Sequence, residues 1–112
     1  MKIVSAVVRT TGVEGIVKAL EEAGVKGITI YEVQGTGDQV QLFTPYTVHK
    51  KIEVIVPDDR ADEVSDIIYE YGHTGLAGDG FIAVIPVECV MKIIKKEKVC
   101  DLDFKGKKEV NL

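Results

Sequence analysis

Hydrophobic and polar positions along this chain switch repeatedly between a two-residue and a helical rhythm. Residues 3–9, Ile-Val-Ser-Ala-Val-Val-Arg, are short, apolar and β-branched, the pattern of a buried strand. Val13, Ile16, Val17, Leu20 and Ala23 then recur at helical spacing over 13–23, with Glu14, Glu21 and Glu22 on the opposite face. Gly24 is placed to end that helix as a left-handed cap. Residues 27–34 alternate as a half-buried strand, and Gly35-Thr36-Gly37-Asp38-Gln39 opens a loop that runs through Pro45. A third strand covers 48–56 and stops at Pro57. Asp59 is then a candidate N-cap for a helix carrying Ala61, Val64, Ile67, Ile68 and Tyr71 on one face, closed by Gly72. After a loop at 73–80, residues 81–85 form a fourth strand ended by Pro86. Val90, Met91, Ile93 and Ile94 add a last apolar rhythm before the chain turns Lys-rich and polar.

The two halves rhyme: strand–helix–strand, then strand–helix–strand. That order predicts an α+β, ferredoxin-like split βαβ fold (βαββαβ), an antiparallel sheet with two helices on one face. The other face has no cover within the chain, and several of its strands are apolar on both sides. A large exposed apolar patch is avoided most simply by oligomerisation through that open face.

Composition narrows the function classes. The chain has 112 residues, 46% hydrophobic and 29% charged, which are globular values for one domain with its own core. The net charge of −4 argues against nucleic acid as a partner, because phosphate neutralisation favours a basic face. The charge is uneven: residues 1–86 carry seven basic and thirteen acidic side chains, and residues 87–112 carry seven and five. No apolar run approaches the ~18 residues of a membrane span, and the N-terminus has no signal core. The expectation is a cytoplasmic protein with no membrane insertion. Cys89 and Cys100 match no metal-ligand or CxxC spacing, and are expected to be reduced thiols, with a redox pair as the alternative. His49 and His73 sit in no catalytic motif, and no paired carboxylates share an apolar face, so an enzyme is not expected.

Eleven glycines, against a usual level of about 7% of residues, are the remaining oddity. In Thr74-Gly75-Leu76-Ala77-Gly78-Asp79-Gly80, three glycines let successive backbone N–H groups point one way, as in an anion-binding nest. The alternative is a tight turn with glycine at positive φ. Gly35 and Gly37 form a second glycine loop after the second strand.

These residues carry a family resemblance. Thr74-Gly75-x-x-Gly78-Asp79-Gly80-x-Ile82-x-Val84-x-Pro86-Val87-Glu88 resembles the C-terminal signature of the PII family, the trimeric nitrogen-regulatory signal transducers. Ala6-Val7-Val8-Arg9, Ala23-Gly24-Val25-Lys26-Gly27-Ile28-Thr29, Glu32-Val33-x-Gly35-x-Gly37-x-Gln39 and Lys51-Ile52-Glu53-Val54-Ile55-Val56-Pro57-Asp58 are similar as well. The likeness covers residues 1–92 as a PII-like domain and leaves 93–112 as a Lys-rich C-terminal tail.

The resemblance implies a homotrimer with an adenine nucleotide in each inter-subunit cleft. Gly35, Gln39, Gly78, Asp79 and Gly80 of one chain would face Gly27, Ile28, Thr29, Glu53, Ile55 and Lys92 of the next, and Gly37, Thr74 and Gly75 would also bind the nucleotide. Val7, Ile28 and Ile55 would wall the base, Thr29 would read the adenine edge, and Gln39 would help organise nucleotide-bound Mg²⁺ and a 2-oxoglutarate-type effector. The family's target-binding loop is shortened here, leaving Phe43, Pro45 and Tyr46 as candidate contacts to a target protein, such as a membrane transporter or metabolic enzyme. Ligand-dependent ordering of residues 35–48 and the tail would carry the signal. Nothing around Tyr46 matches the family's modified tyrosine.

Three departures bear on phosphate. His49 and Phe81 stand where the family has lysines, and Ile94 stands for the second of two arginines, the first being Lys92. These losses favour ADP or AMP over ATP. The rival reading is a ferredoxin-like trimeric structural or metal-tolerance module without a nucleotide site.

Overall fold

A computed structural model describes residues 1–35, 47–94 and 96–100. Six strands and two principal helices follow in the order β1 (Lys2–Val8), α1 (Val13–Glu22), β2 (Ile28–Gly35), β3 (Thr47–Val56), α2 (Ala61–Gly72), β4 (Gly80–Pro86), β5 (Cys89–Lys92) and β6 (Glu97–Cys100). A 3₁₀ turn precedes each helix, at Thr10–Gly12 and Asp58–Arg60. The first four strands form one antiparallel sheet in the order β2-β3-β1-β4. This is the expected split βαβ arrangement.

Period-two alternation decides the two faces of the sheet. Val4, Ala6 and Val8 of β1 and Ile52, Val54 and Val56 of β3 are buried with Ile16 and Leu20 of α1 and Ala61, Val64 and Ile68 of α2. The opposite face carries Ile3, Ser5 and Val7, their β3 partners Ile55, Glu53 and Lys51, and their β4 partners Ile85, Ala83 and Phe81. Apolar side chains stay exposed there: Tyr31 at 40%, Phe81 at 53% and Ile85 at 45%.

Helix α1 ends in a Schellman motif. Gly24 takes φ 86°, its N–H reaches Glu21 O at 3.0 Å, and Val25 N–H reaches Leu20 O at 3.0 Å. Val25 and Leu20 then share the core. Arg60 joins the helices by donating from Nη2 to Ala23 O at 2.7 Å while pairing with Glu63. The expected capping role of Asp59 is not found: Arg60 holds the N-cap position of α2, and no side chain caps it. Asp59 falls inside the 3₁₀ turn, one residue too early.

Beyond Pro86 the apolar rhythm becomes a hairpin. Among the described residues, strands β5 and β6 pair only with each other, with Cys89 opposite Cys100 and Lys92 opposite Glu97, so the hairpin spans the expected start of the tail at 93. The expectation of reduced thiols is also corrected, because Cys89 is disulfide-bonded. Sequence spacing conceals the hairpin, since only its register brings backbone positions eleven apart face to face.

Candidate functional site

Chemistry-bearing residues gather at two places on the sheet, one at each edge. The first is the loop from His73 to Asp79, between α2 and β4. Its organiser is Asp79. One carboxylate oxygen accepts the N–H groups of Thr74 and Gly75, each at 2.8 Å. The other accepts Arg9 Nε at 2.9 Å and the Thr74 hydroxyl. The Thr74 hydroxyl, Arg9 and the two N–H groups all favour the ionised form and hold the Asp79 carboxyl far below the usual carboxylate range.

Arg9, at the end of β1, continues outward and donates from Nη2 to Ala77 O at 2.7 Å. His49, almost fully buried in β3, donates from Nε2 to Gly78 O at 2.9 Å. Two side chains from neighbouring strands therefore clamp the loop. The N–H groups at 74 and 75 are engaged by the chain's own carboxylate, so this part of the expected nest already holds its anion.

Glycine is obligatory where the loop meets β4. Gly80 takes φ 96°, and a Cβ there would stand 1.7 Å from Val7 O. The backbone of β4 thus runs directly against β1, in register with Val8. Next to it lies a cavity of about 560 Å³, lined by Val7, Val8, Ile68, Tyr69, Gly72, His73, Gly75, Leu76, Ala77, Asp79, Gly80, Phe81 and Ile82. That volume falls within the range of small-molecule sites, about 300–1,000 Å³.

The second place is on β2 and β3, with Ile3 of β1 beside them. A cavity of about 220 Å³ is lined by Ile3, Gly27, Ile28, Thr29, Glu53 and Ile55. Thr29, Glu53 and Ser5 form one cross-strand row, and Ser5 Oγ donates to Glu53 Oε2 at 3.3 Å. Lys51 stands 3.9 Å from the same oxygen and 5.8 Å from the centre of the Tyr31 ring.

The sequence-predicted residues thus divide. Gly27, Ile28, Thr29, Glu53 and Ile55 come together in the smaller cavity. Gly75, Asp79 and Gly80 line the larger one, with Thr74 and Gly78 in the same loop. Val7 joins the glycine loop, opposite Phe81, and not Ile28 and Ile55. Gly35 ends β2, and Lys92 sits half-buried in β5 and lines neither cavity. Gly37, Gln39, Phe43, Pro45 and Tyr46 lie outside the described residues. Sequence reasoning gave neither Arg9 nor His49 a loop-organising role; Arg9 carries the signal of a charged residue ending an apolar β-branched run, and His49, near the start of β3, carries none.

Strands β2 and β4 are the two edges of the sheet, three strand spacings apart, roughly 14 Å at about 4.8 Å each. No single small ligand between β2 and β4 of one chain spans that breadth without crossing β3 and β1.

The sequence profile described as nitrogen regulatory protein P-II matches residues 1–98. The chain is similar to the nitrogen regulatory protein P-II of Azospirillum brasilense, 34% identical over 107 residues, 88% of this chain and 96% of that protein. It is likewise similar to the nitrogen regulatory protein GlnK of Escherichia coli and of Shigella flexneri. Each is 35% identical over 102 residues, covering 83% of this chain and 91% of theirs.

Proposed function

This chain belongs to the P-II family of nitrogen regulatory proteins, and we propose that it binds an adenine nucleotide between subunits of a homotrimer and regulates a target protein. The observation that carries this reading is the division of the cavities between opposite sheet edges. A ligand shared by the two linings would lie between two protomers, with the glycine loop of one against the Thr29–Glu53 wall of the next. The exposed apolar positions of the open face, Tyr31, Phe81 and Ile85, supply the surface such an assembly covers.

The residues fit a nucleotide in kind. Ile28 and Ile55 offer a flat apolar wall, and Thr29 and Glu53 offer hydrogen-bonding groups beside it. Across the cleft, Gly78 and Gly80 bring backbone without side chains, and both hold positive φ. The phosphate side is poorer. Phe81 presents an exposed apolar ring directly after Gly80, and Asp79 engages two loop N–H groups. Each missing charge-assisted contact is worth about 1.5–3 kcal/mol, and the terminal phosphate of ATP depends on them most. The reading is therefore ADP or AMP in preference to ATP.

Mg²⁺, when present, would enter on the phosphates. Among the described residues no group of three His, Cys, Asp or Glu side chains could hold a metal ion alone. The role is regulation, not catalysis, in the cytoplasm. The target, a transporter or a metabolic enzyme, would be contacted by Phe43, Pro45 and Tyr46. No helix among the described residues is long and apolar enough to cross a membrane.

Thermal melts with ADP, AMP and ATP test the reading, since a ligand that binds only the folded state raises the melting temperature. ADP or AMP must raise it and ATP must do so less. A melt unmoved by all three would overturn the nucleotide site.

A further inference from the structure

Ile93 and Ile94 follow β5 directly and are 94% and 91% exposed. Single exposed apolar side chains are ordinary on a protein surface, but two adjacent ones left almost wholly in water are not. The backbone there is a turn, where glycine, asparagine, aspartate and serine are the usual residues. Two β-branched isoleucines therefore gain nothing from the local conformation, and their surface is left for a contact beyond the protomer.

The same chain carries a cavity of matching character. The cavity of about 560 Å³ is walled on its apolar side by Ile68, Tyr69, Leu76, Phe81 and Ile82, of which Tyr69, Leu76 and Phe81 are exposed. The isoleucine pair falls short of this cavity in its own chain. Val90 packs on Met1 with Val87, beyond the Pro86 end of β4, whereas the cavity opens at the Gly80 end. From Gly80 to Pro86, β4 spans about 20 Å at ~3.3 Å per residue, while the chain from Val90 to Ile94 reaches at most about 14 Å.

Charge favours a match between copies. Lys92 and Lys96 flank the isoleucines. Helix α2, which supplies Ile68 and Tyr69 to the cavity, exposes Asp62, Glu63, Asp66 and Glu70 and holds no basic residue.

We propose that Ile93 and Ile94 of one protomer insert into the apolar side of this cavity in a second copy of the chain, and leave the Gly78–Gly80 backbone to the nucleotide. The contact rests on the homotrimer reading above. Knob and cavity are different surfaces of one chain, so the contact is head-to-tail, and a head-to-tail contact that closes makes a ring. In a ring of three copies, each cavity receives one knob.

The full chain tests this in two ways. Sedimentation of a dilution series should give a trimer for the native chain, and Ile93→Ser combined with Ile94→Ser should weaken its association about tenfold or more, as expected for the loss of one buried isoleucine. Both side chains are exposed within the protomer, so this variant should keep the native circular dichroism. Ile94→benzoylphenylalanine, irradiated in the assembled protein, should join one protomer to residues 68–82 of another, as read by peptide mass. Leu76→Asp should abolish that link. Links from position 94 only to other segments, or a serine variant that associates as tightly as the native chain, overturn the contact and leave the trimer standing. A native chain that sediments as a monomer at every concentration overturns the trimer reading and the contact with it.

Discussion

The guanidinium of Arg9 lies 2.9 Å from the carboxylate of Asp79, seventy residues further along the chain. Through this contact the first residue after β1 positions the loop that leads into β4. The same carboxylate gathers Thr74 and Gly75, so Arg9 acts on the whole glycine loop. Arg9→Ala should quicken hydrogen exchange at 74–79 and weaken nucleotide binding about tenfold, as expected for loss of a charge-assisted bond. Exchange mass spectrometry paired with calorimetry checks both; unchanged exchange at 74–79 would remove Arg9 from this role.

Asp79 also links the loop to pH. Its carboxyl is held well below its ordinary value by Thr74 and Arg9. A depressed folded pKa contributes stability that is complete above the unfolded value, about 3.9, and is lost as pH falls toward the folded one. The stability difference between the native chain and Asp79→Asn should therefore be constant from pH 5 to 8, on the order of this linkage, and narrow below about pH 4. Urea denaturation across that range measures it. A gap that widens on acidification would contradict the sign.

Two glycines of the loop should respond differently to a methyl group. Gly75 holds φ 86° with no atom nearer than 3.8 Å to an added Cβ, so Gly75→Ala should cost only the left-handed strain, about 1–2 kcal/mol. At Gly80 the Cβ would collide with Val7 O. Gly80→Ala should therefore fall among the rare substitutions costing more than about 4 kcal/mol. Denaturant midpoints for the two variants compare them directly.

Nucleotide preference should follow position 81. Phe81 is 53% exposed beside Gly80, so a lysine there can be accommodated without burying charge. Phe81→Lys should strengthen ATP binding by about 1.5–3 kcal/mol, roughly tenfold or more, and alter AMP binding little. Titration calorimetry with both nucleotides separates this from a general gain in affinity.

Burial gives His49 a structural role. Its Nε2–H satisfies Gly78 O inside the protein. His49→Phe leaves that carbonyl without the bond and should cost about 1–3 kcal/mol, whereas His49→Gln, which keeps a donor, should cost less. Equal losses in the two variants would point to packing instead of the hydrogen bond.

Local pattern determined the order of the first four strands and the two helices, and the motifs carried the family. Alternation in β1 and β3, helical spacing at Ile16–Leu20 and Val64–Ile68, and glycines at the loop are all short-range signals, and each residue type has few conformations open to it. Gly24 as a left-handed cap and Gly80 as a position for glycine were legible for that reason. Asp59 was misplaced because a 3₁₀ turn moved the helix start by one residue, a shift that side-chain propensity does not encode. Only the tertiary structure decided which residues meet. Arg9 finds Asp79, His49 finds Gly78 and Cys89 faces Cys100 because strand order and register close long loops, and pairing across such distances leaves no periodic trace in the chain. The same register set the glycine loop and the Thr29–Glu53 wall on opposite edges of one sheet. The family resemblance already implied a site divided between two chains; strand order supplies the physical reason, because the two linings stand apart on one sheet.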